Sequence, residues 1–544
     1  MRHYLNRLQE SIKAKWNTPA LSDYRGETFT FANFATEIAR LHTIYRKLGV
    51  NVGDKIAIAA KNSSRWAMAF LSVTTYRAVA VPILCDFTPE AITNLTAHSD
   101  SVILFTEPRI FEDMEVEKMP EVRIVINLED YSVLYLRDSE KQSELDIALA
   151  EIPAVYPEEM KEEIVKYTDL SLDDLAIINY TSGTTSQPKG VMLTSRNIST
   201  NIDFALDKIP IEEGDQIISM LPLAHMYGMA FEFIYPVCGG GRVFFLGKTP
   251  TPTLLMQALA DVKPYLLITV PLVIEKIFKG KILPILGKPI MKVLTHTPGL
   301  NKLIYSKVRK QLLTTFGGKL RSIILGGAAL NPSIEKVMRK VKLPYTVGYG
   351  MTECAPLLSY APWDSFKAGS CGRSVDGLEL RIDSENPQKK VGEIQAKGPN
   401  VMIGYYKNEE ATKAAFTEDG FLRTGDLGII DKKGNVFIKG RSKCMILTAS
   451  GQNIYPEEIE AVLNTLPHIA ESLIVARDKA LVALVALSAD DLALEESVIN
   501  EALEQTRKEA NLILPAYSQI SKIEIVREGF AHTPKQSIKR FLYK

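Results

Sequence analysis

The sequence predicts an α/β protein with a large N-terminal lobe of mixed and parallel sheets layered with helices, a β-rich subdomain, and a small C-terminal α+β domain. Three observations lead there. Apolar strand-like runs alternate with helical patterns from about residue 20 to 270, short strands punctuated by glycine fill 375–440, and helices and strands mix again after Gly440-Arg441-Ser442-Lys443. At 544 residues the chain is too long for one hydrophobic core. The expected units are therefore 1–440, including the β-rich part at about 375–440, and 441–544.

The helical stretch Phe31 to Leu48 opens at Thr30, whose hydroxyl can take up an N–H of the first turn. Lys55 to Ala59, Ala78 to Pro82, Ser101 to Phe105, Leu175 to Ile178, Val191 to Leu193 and Gln216 to Met220 are short, apolar and partly β-branched, so they read as buried strands. Gly392, Gly398, Gly404, Gly420 and Gly434 separate the short strands of the β-rich part. Beyond the break, Tyr455 to Leu466 reads as a helix with Pro456 in its first turn. Strands over Glu471 to Ala476, Ala480 to Ser488 and Ile520 to Val526, and a helix from Glu495 to about Leu512, complete the chain.

Lys+Arg and Asp+Glu both number 64, so no global field favours nucleic acid. The five cysteines are scattered and never spaced as a metal or redox pair, which fits reduced thiols in the cytoplasm. Met1 to Glu10 is charged and amphipathic, and no apolar run is long enough to span a bilayer; the chain reads as neither exported nor integral to a membrane.

The most informative stretch is Tyr180-Thr181-Ser182-Gly183-Thr184-Thr185-Ser186-Gln187-Pro188-Lys189-Gly190, held between two predicted strands. Gly183 and Gly190 let consecutive N–H groups face one point, and the hydroxyls of Thr181, Ser182, Thr184 and Thr185 can donate to phosphate oxygens there. Lys189 adds a compact positive charge suited to β- and γ-phosphates. This points to a nucleotide triphosphate. The commoner P-loop is excluded: before Gly247-Lys248-Thr249 its first glycine would fall on Arg242, and Val243 to Leu246 reads as a strand.

Further motifs follow in order: Leu221-Pro222-Leu223-Ala224-His225-Met226-Tyr227-Gly228, Gly326-Gly327-Ala328-Ala329-Leu330, Gly348-Tyr349-Gly350-Met351-Thr352-Glu353, Gly392-Glu393-Ile394, Arg423-Thr424-Gly425-Asp426-Leu427-Gly428 and Gly440-Arg441-Ser442-Lys443. Together with the phosphate loop, and over nearly the whole length, the chain resembles the adenylate-forming acyl-CoA synthetases, the superfamily that includes firefly luciferase and peptide-synthetase adenylation domains. The resemblance implies a nucleotide site in which Gly326, Gly327 and Ala328 let backbone approach adenine, and Tyr349 and Gly350 belong to the same wall. It implies that Thr352 donates to the α-phosphate, that Glu353 holds Mg²⁺, and that Asp426 accepts from the ribose hydroxyls, with Arg441 adding ribose or phosphate contacts. A carboxylate would then attack the α-phosphorus of ATP and expel pyrophosphate, giving an acyl-AMP that coenzyme A converts to a thioester. His225 is expected to line the acyl pocket rather than act as a base. Lys443 matches the hinge about which a mobile C-terminal domain rotates between half-reactions, and Thr448 to Asn453 resembles the segment lining the pantetheine tunnel.

One departure stands out. Aligning Ile538-Lys539-Arg540 with the family's end motif puts Ser537 where the adenylation lysine is expected. A hydroxyl cannot replace a cation between two anions. Lys535 is the favoured substitute and Lys539 the alternative, and a nucleotide- or acyl-AMP-binding protein with impaired turnover stays open as a reading.

Lys263 to Pro271, Ile274 to Ile277 and Leu21 to Tyr24 look like the long-chain branch, so the expected acid is a fatty acid of medium to long chain. Coenzyme A and the phosphopantetheine of acyl carrier protein share one thiol arm, so either acceptor fits. The extra segment Lys276 to Arg321 contains many basic residues and no acid, interleaved with apolar runs. It can either pack as a helical insert on its own domain or touch anionic lipid as a peripheral contact.

Overall fold

A computed structural model describes residues 1–138, 161–181, 188–247, 251–286, 288, 291, 294–295, 297, 299–447, 453–477, 480–515, 518–532 and 538–543. The architecture is mixed α/β, as expected. Two large sheets carry the N-terminal lobe. In the first, the spatial order is Gly404–Tyr405, Lys189–Thr194, Leu175–Thr181, Val79–Pro82, Lys55–Ala59, Ser101–Thr106, Ile124–Asn127 and Val133–Leu136. Its inner strands run parallel and its outer ones antiparallel. Val79–Pro82 and Ser101–Thr106 are buried along their whole length, which is why they read as continuous rather than alternating apolar runs.

The second sheet orders Tyr345–Val347, Ser322–Leu325, Leu266–Thr269, Gln216–Ser219, Arg242–Phe245, Pro19–Asp23 and Thr28–Thr30, parallel except for the last pair. Helix Ser64–Thr75 touches strands of both sheets and buries every residue but Arg65. Its apolar residues surround the axis, as a helix enclosed on all sides requires, and Trp66 stacks on Phe70 with ring centres 5.6 Å apart. Helix Phe31–Lys47 starts where the sequence placed it: Thr30 accepts from the Asn33 N–H, and the Asn33 side chain accepts from the Thr30 N–H.

An antiparallel sheet of Glu379–Asp383, Gly392–Lys397, Leu422–Ile430 and Val436–Arg441 follows, its last strand leading into Ser442–Cys444. The C-terminal sheet is Ile469–Arg477, Ala480–Leu487 and Ile520–Ile525, covered by helices Pro456–Leu463 and Glu496–Ile513. The first of these helices is shorter than the sequence suggests. The Thr465 hydroxyl donates to the Val462 carbonyl at 2.7 Å, and Pro467 disfavours helical angles at Leu466.

Within the basic segment, Phe278–Ile282, Leu283–Leu286 and Leu300–Thr315 are helical. Leu312 is buried, and Tyr305 and Val308 pack beside it, so the longest of these helices is seated on its own lobe. No described helix is long and apolar enough to cross a membrane.

Candidate active site

Strands Leu175–Thr181 and Lys189–Thr194 pair antiparallel with Thr181 opposite Lys189, so the phosphate loop closes a hairpin. Gly190 is required by packing: a Cβ there would lie 2.9 Å from Ile178 and 3.1 Å from the Tyr180 ring. Ser182, Gly183, Thr184 and Thr185 lie outside the described residues.

Lys189 and Glu353 meet through a residue that the sequence did not single out. The Lys189 ammonium sits 4.8 Å from the centre of the Tyr405 ring, and the Tyr405 hydroxyl donates to Glu353 Oε1 at 3.0 Å. Tyr405 pairs with Val191 on the strand that begins at Lys189, and the Met402 N–H donates to the Glu353 carbonyl at 2.8 Å. One short edge strand thereby fixes the cation of the loop relative to the acid of the Thr352–Cys354 turn. Burial first, then the Glu353 carboxylate, push the Tyr405 hydroxyl up, which keeps it a donor.

A second cluster lies around Asp426. The Tyr349 hydroxyl donates to its Oδ2 at 2.7 Å, and Arg441 Nε lies 2.8 Å from its Oδ1. Asp426 and Arg441 are cross-strand partners of one ladder, so the pairing is set by sheet register. Burial raises the Asp426 carboxyl above its ordinary value of 3.8, while Arg441 and the Tyr349 hydroxyl oppose the rise. Gly350 is packed against backbone, with a virtual Cβ 2.2 Å from the Pro356 carbonyl oxygen. No larger residue fits there.

The third wall joins the 221–228 motif to the 326–328 turn. A Cβ on Gly326 would lie 2.9 Å from the Tyr227 ring, whose hydroxyl donates to the Ile324 carbonyl at 3.2 Å. Gly327 takes φ +81°, a left-handed angle that suits glycine, and Ala328 beside it is exposed. The Asn179 amide donates to the Ala224 carbonyl at 2.8 Å, and Asn62 brackets Leu221 and Leu223, which together position His225. Behind it, Glu232 is fully buried; its Oε2 accepts from the N–H groups of Met220 and Leu221 at 3.0 and 2.9 Å. Burial outweighs those bonds and holds the carboxyl well above its ordinary 4.5.

With the lysine that ends the phosphate loop and a carboxylate both meeting Tyr405, and a buried aspartate beside Tyr349, the geometry suits a nucleotide. The sequence profile of the AMP-binding enzyme family matches residues 8–406, and that of the AMP-binding enzyme C-terminal domain matches 444–543. The chain belongs to the AMP-binding enzyme family.

Relatives of this AMP-binding enzyme include the long-chain-fatty-acid–CoA ligase FadD15 of Mycobacterium bovis, 28% identical over 94% of this chain and 89% of that protein. The long-chain-fatty-acid–(acyl-carrier-protein) ligase AEE15, chloroplastic, of Arabidopsis thaliana is 26% identical, covering 83% of this chain and 71% of the relative. The 4-coumarate–CoA ligase 1 of Petroselinum crispum is 28% identical, covering 83% and 77%. The crystal structure of the anthranilate CoA ligase AuaEII in complex with anthranoyl-AMP superposes with a TM-score of 0.79 over 99% of this chain and 96% of that one, at 18% identity, and shows the shared fold. The AMP-binding enzyme is an adenylate-forming acid–thiol ligase, for which ATP and coenzyme A are fitting substrates.

The Glu353 carboxylate, held by the Tyr405 hydroxyl, has the oxygen chemistry that would suit a hard divalent cation carried by phosphates. Among the described residues no three His, Cys, Asp or Glu come together. In this AMP-binding enzyme, Lys443 lies in the single turn Ser442–Cys444 directly after the strand carrying Arg441. Lys535 and Ser537 lie outside the described residues, as do 448–452 of the segment compared with a pantetheine tunnel. Arg540 is committed within the C-terminal domain, where it pairs with Glu460. Lys539, the alternative to Lys535, precedes the turn Arg540–Leu542, and its backbone N–H donates to the Ala531 carbonyl at 2.8 Å.

Tyr405 and Glu232 escaped the sequence because an aromatic or an acid in an apolar run carries no motif. Their spacing offered one weak signal: Gly404-Tyr405-Tyr406 follows the Gly392-Glu393-Ile394 motif as an isolated glycine-aromatic step.

Proposed function

We propose that this enzyme activates a medium- to long-chain fatty acid with Mg·ATP to acyl-AMP, releasing pyrophosphate, and then transfers the acyl group to coenzyme A. The observation that supports the first half-reaction is the convergence of Lys189 and Glu353 on Tyr405, one cation and one carboxylate held on a single side chain. Expelling pyrophosphate needs charge neutralised at the leaving group, which Lys189 directly and Glu353 through a bound cation would supply. Asp426 would receive the ribose once Arg441 shares its carboxylate with the hydroxyls.

The fatty-acid assignment is supported by the long-chain phrases in the sequence and by the name of the Mycobacterium relative. The parsley relative acts on 4-coumarate by its name, so an aryl acid is the competing substrate class. Transfer to acyl carrier protein is the second reading for the acceptor, favoured by the name of the Arabidopsis relative. A turnover-impaired binding protein is the third, motivated by Ser537. Lys443 serves as the hinge of the 441–544 domain, Lys535 supplies the adenylation charge, and the enzyme works in the cytoplasm with peripheral membrane contact through 276–321.

Pyrophosphate release from ATP with palmitate, shorter fatty acids and 4-coumarate, each with coenzyme A, carrier protein or neither, tests the set. Release that depends on chain length and on coenzyme A supports the reading. Release with 4-coumarate alone would reassign the substrate, and none with any acid would leave only the binding protein. Lys443→Pro should spare acyl-AMP formation and block thioester formation; equal loss of both would end the hinge assignment.

A further inference from the structure

The segment 276–321 has no acidic residue, and its helix Leu300–Thr315 keeps only one side for the protein. Tyr305, Val308 and Leu312 face the core. On the opposite side Leu300, Leu303, Lys307, Lys310 and Thr314 recur at steps of three and four and are all exposed, forming one ridge along the helix. Leu303 is 68% exposed and Leu300 is 43% exposed, high values for leucines on a helix that has a core available one turn away. Lys302 and Gln311 flank the ridge and are also exposed. The ridge thus offers apolar side chains at its N-terminal end and cations beyond them, with no carboxylate in the segment to neutralise the charge.

We infer that this ridge is a docking surface for an anionic lipid bilayer, entered by Leu300 and Leu303 while Lys307 and Lys310 meet the headgroup phosphates. Charge complementarity alone would suit an acidic protein as well. The paired leucines ask for an apolar partner on the same ridge, and the bilayer interface supplies both chemistries within one turn of helix. A helix lying in the interface needs no spanning length, in keeping with the absence of any described helix that could cross a membrane. The inference rests on the peripheral membrane contact proposed for 276–321 and names its surface and partner; the contact requires neither ATP nor an acid, so its failure leaves the ligase reading standing.

The test is co-flotation of the full chain with vesicles of phosphatidylcholine alone or mixed with phosphatidylglycerol, at low and high salt and without substrates. The protein should float only with the anionic vesicles, and salt should release it. Lys307→Gln with Lys310→Gln should weaken binding about 25-fold, about fivefold for each charge. Leu303→Ser should weaken it about tenfold. The two variants are independent, so a folding defect in one leaves the other to decide. No flotation with anionic vesicles, or flotation indifferent to both variants, overturns the proposal. So does capture of purified acyl carrier protein that the lysine variant abolishes, because the ridge would then be a protein interface.

Discussion

The Tyr405 hydroxyl donates to Glu353 Oε1 at 3.0 Å from a strand paired to the one that begins at Lys189. The ring thus sits between a cation and an acid that are far apart in the chain. A nucleotide carrying phosphates and a divalent ion needs that separation held before it arrives, since ordering it on binding would cost affinity.

Tyr405→Phe keeps the ring under Lys189 and removes the donor to Glu353. Bonds to charged acceptors contribute about 1.5–3 kcal/mol, so the Mg²⁺ concentration supporting half-maximal pyrophosphate release should rise about tenfold or more. An unaltered Mg²⁺ dependence would remove Tyr405 from the site.

Asp426→Asn abolishes the ion pair with Arg441 while leaving an oxygen for Tyr349. Calorimetric titration with AMP should show affinity about tenfold weaker. In the unsubstituted protein burial raises the carboxyl above its ordinary 3.8, and protonation removes the acceptor. Affinity for AMP should therefore fall on acidification earlier than an exposed aspartate would allow.

Glu232 makes the clearest pH prediction. Its carboxyl is held well above 4.5 by burial, so the folded state binds a proton that the unfolded state has lost. Its contribution is complete below the unfolded value of 4.5 and is lost as pH rises through the folded value. Glu232→Gln keeps an acceptor for the Met220 and Leu221 N–H groups and removes the titration. Melting temperature measured against pH should decline less steeply above 4.5 in the variant; parallel curves would show that the acid is ionised in place.

Lys279 joins the two parts of the molecule. Its ammonium donates at 2.6 Å to the Asn464 carbonyl, at the C-terminal end of helix Pro456–Leu463 where a cation is favoured. Such contacts contribute about 0.3–1 kcal/mol, so Lys279→Ala should speed tryptic cleavage near Arg441 and Lys443 about two- to fivefold. Unchanged digestion would show that the contact does not hold the domain.

Local rules made much of the fold legible. The Thr30 cap, the strand Lys55–Ala59 and the hairpin around 182–187 depend on neighbours in the chain, and burial matched the apolar runs. Helix Pro456–Leu463 ended early because a side chain–backbone bond at Thr465 competed with the helical pattern, which periodicity does not record. In the site, Thr181, Lys189, Tyr349, Glu353, Asp426 and Arg441 were named from motif chemistry, but nothing in their spacing showed which would touch.

By itself the sequence determined the elements and the chemical types gathered at the candidate site, because hydroxyl, amide and charge are properties of residues. Which of them meet was decided only by the tertiary structure. Register placed Asp426 opposite Arg441, an edge strand carried Tyr405 to Glu353, and enclosure made Glu232 a buried acid. Each depends on segments distant in the chain sharing one dry space, where hydrogen-bond partners and proton affinities are set by what surrounds a group rather than by what precedes it.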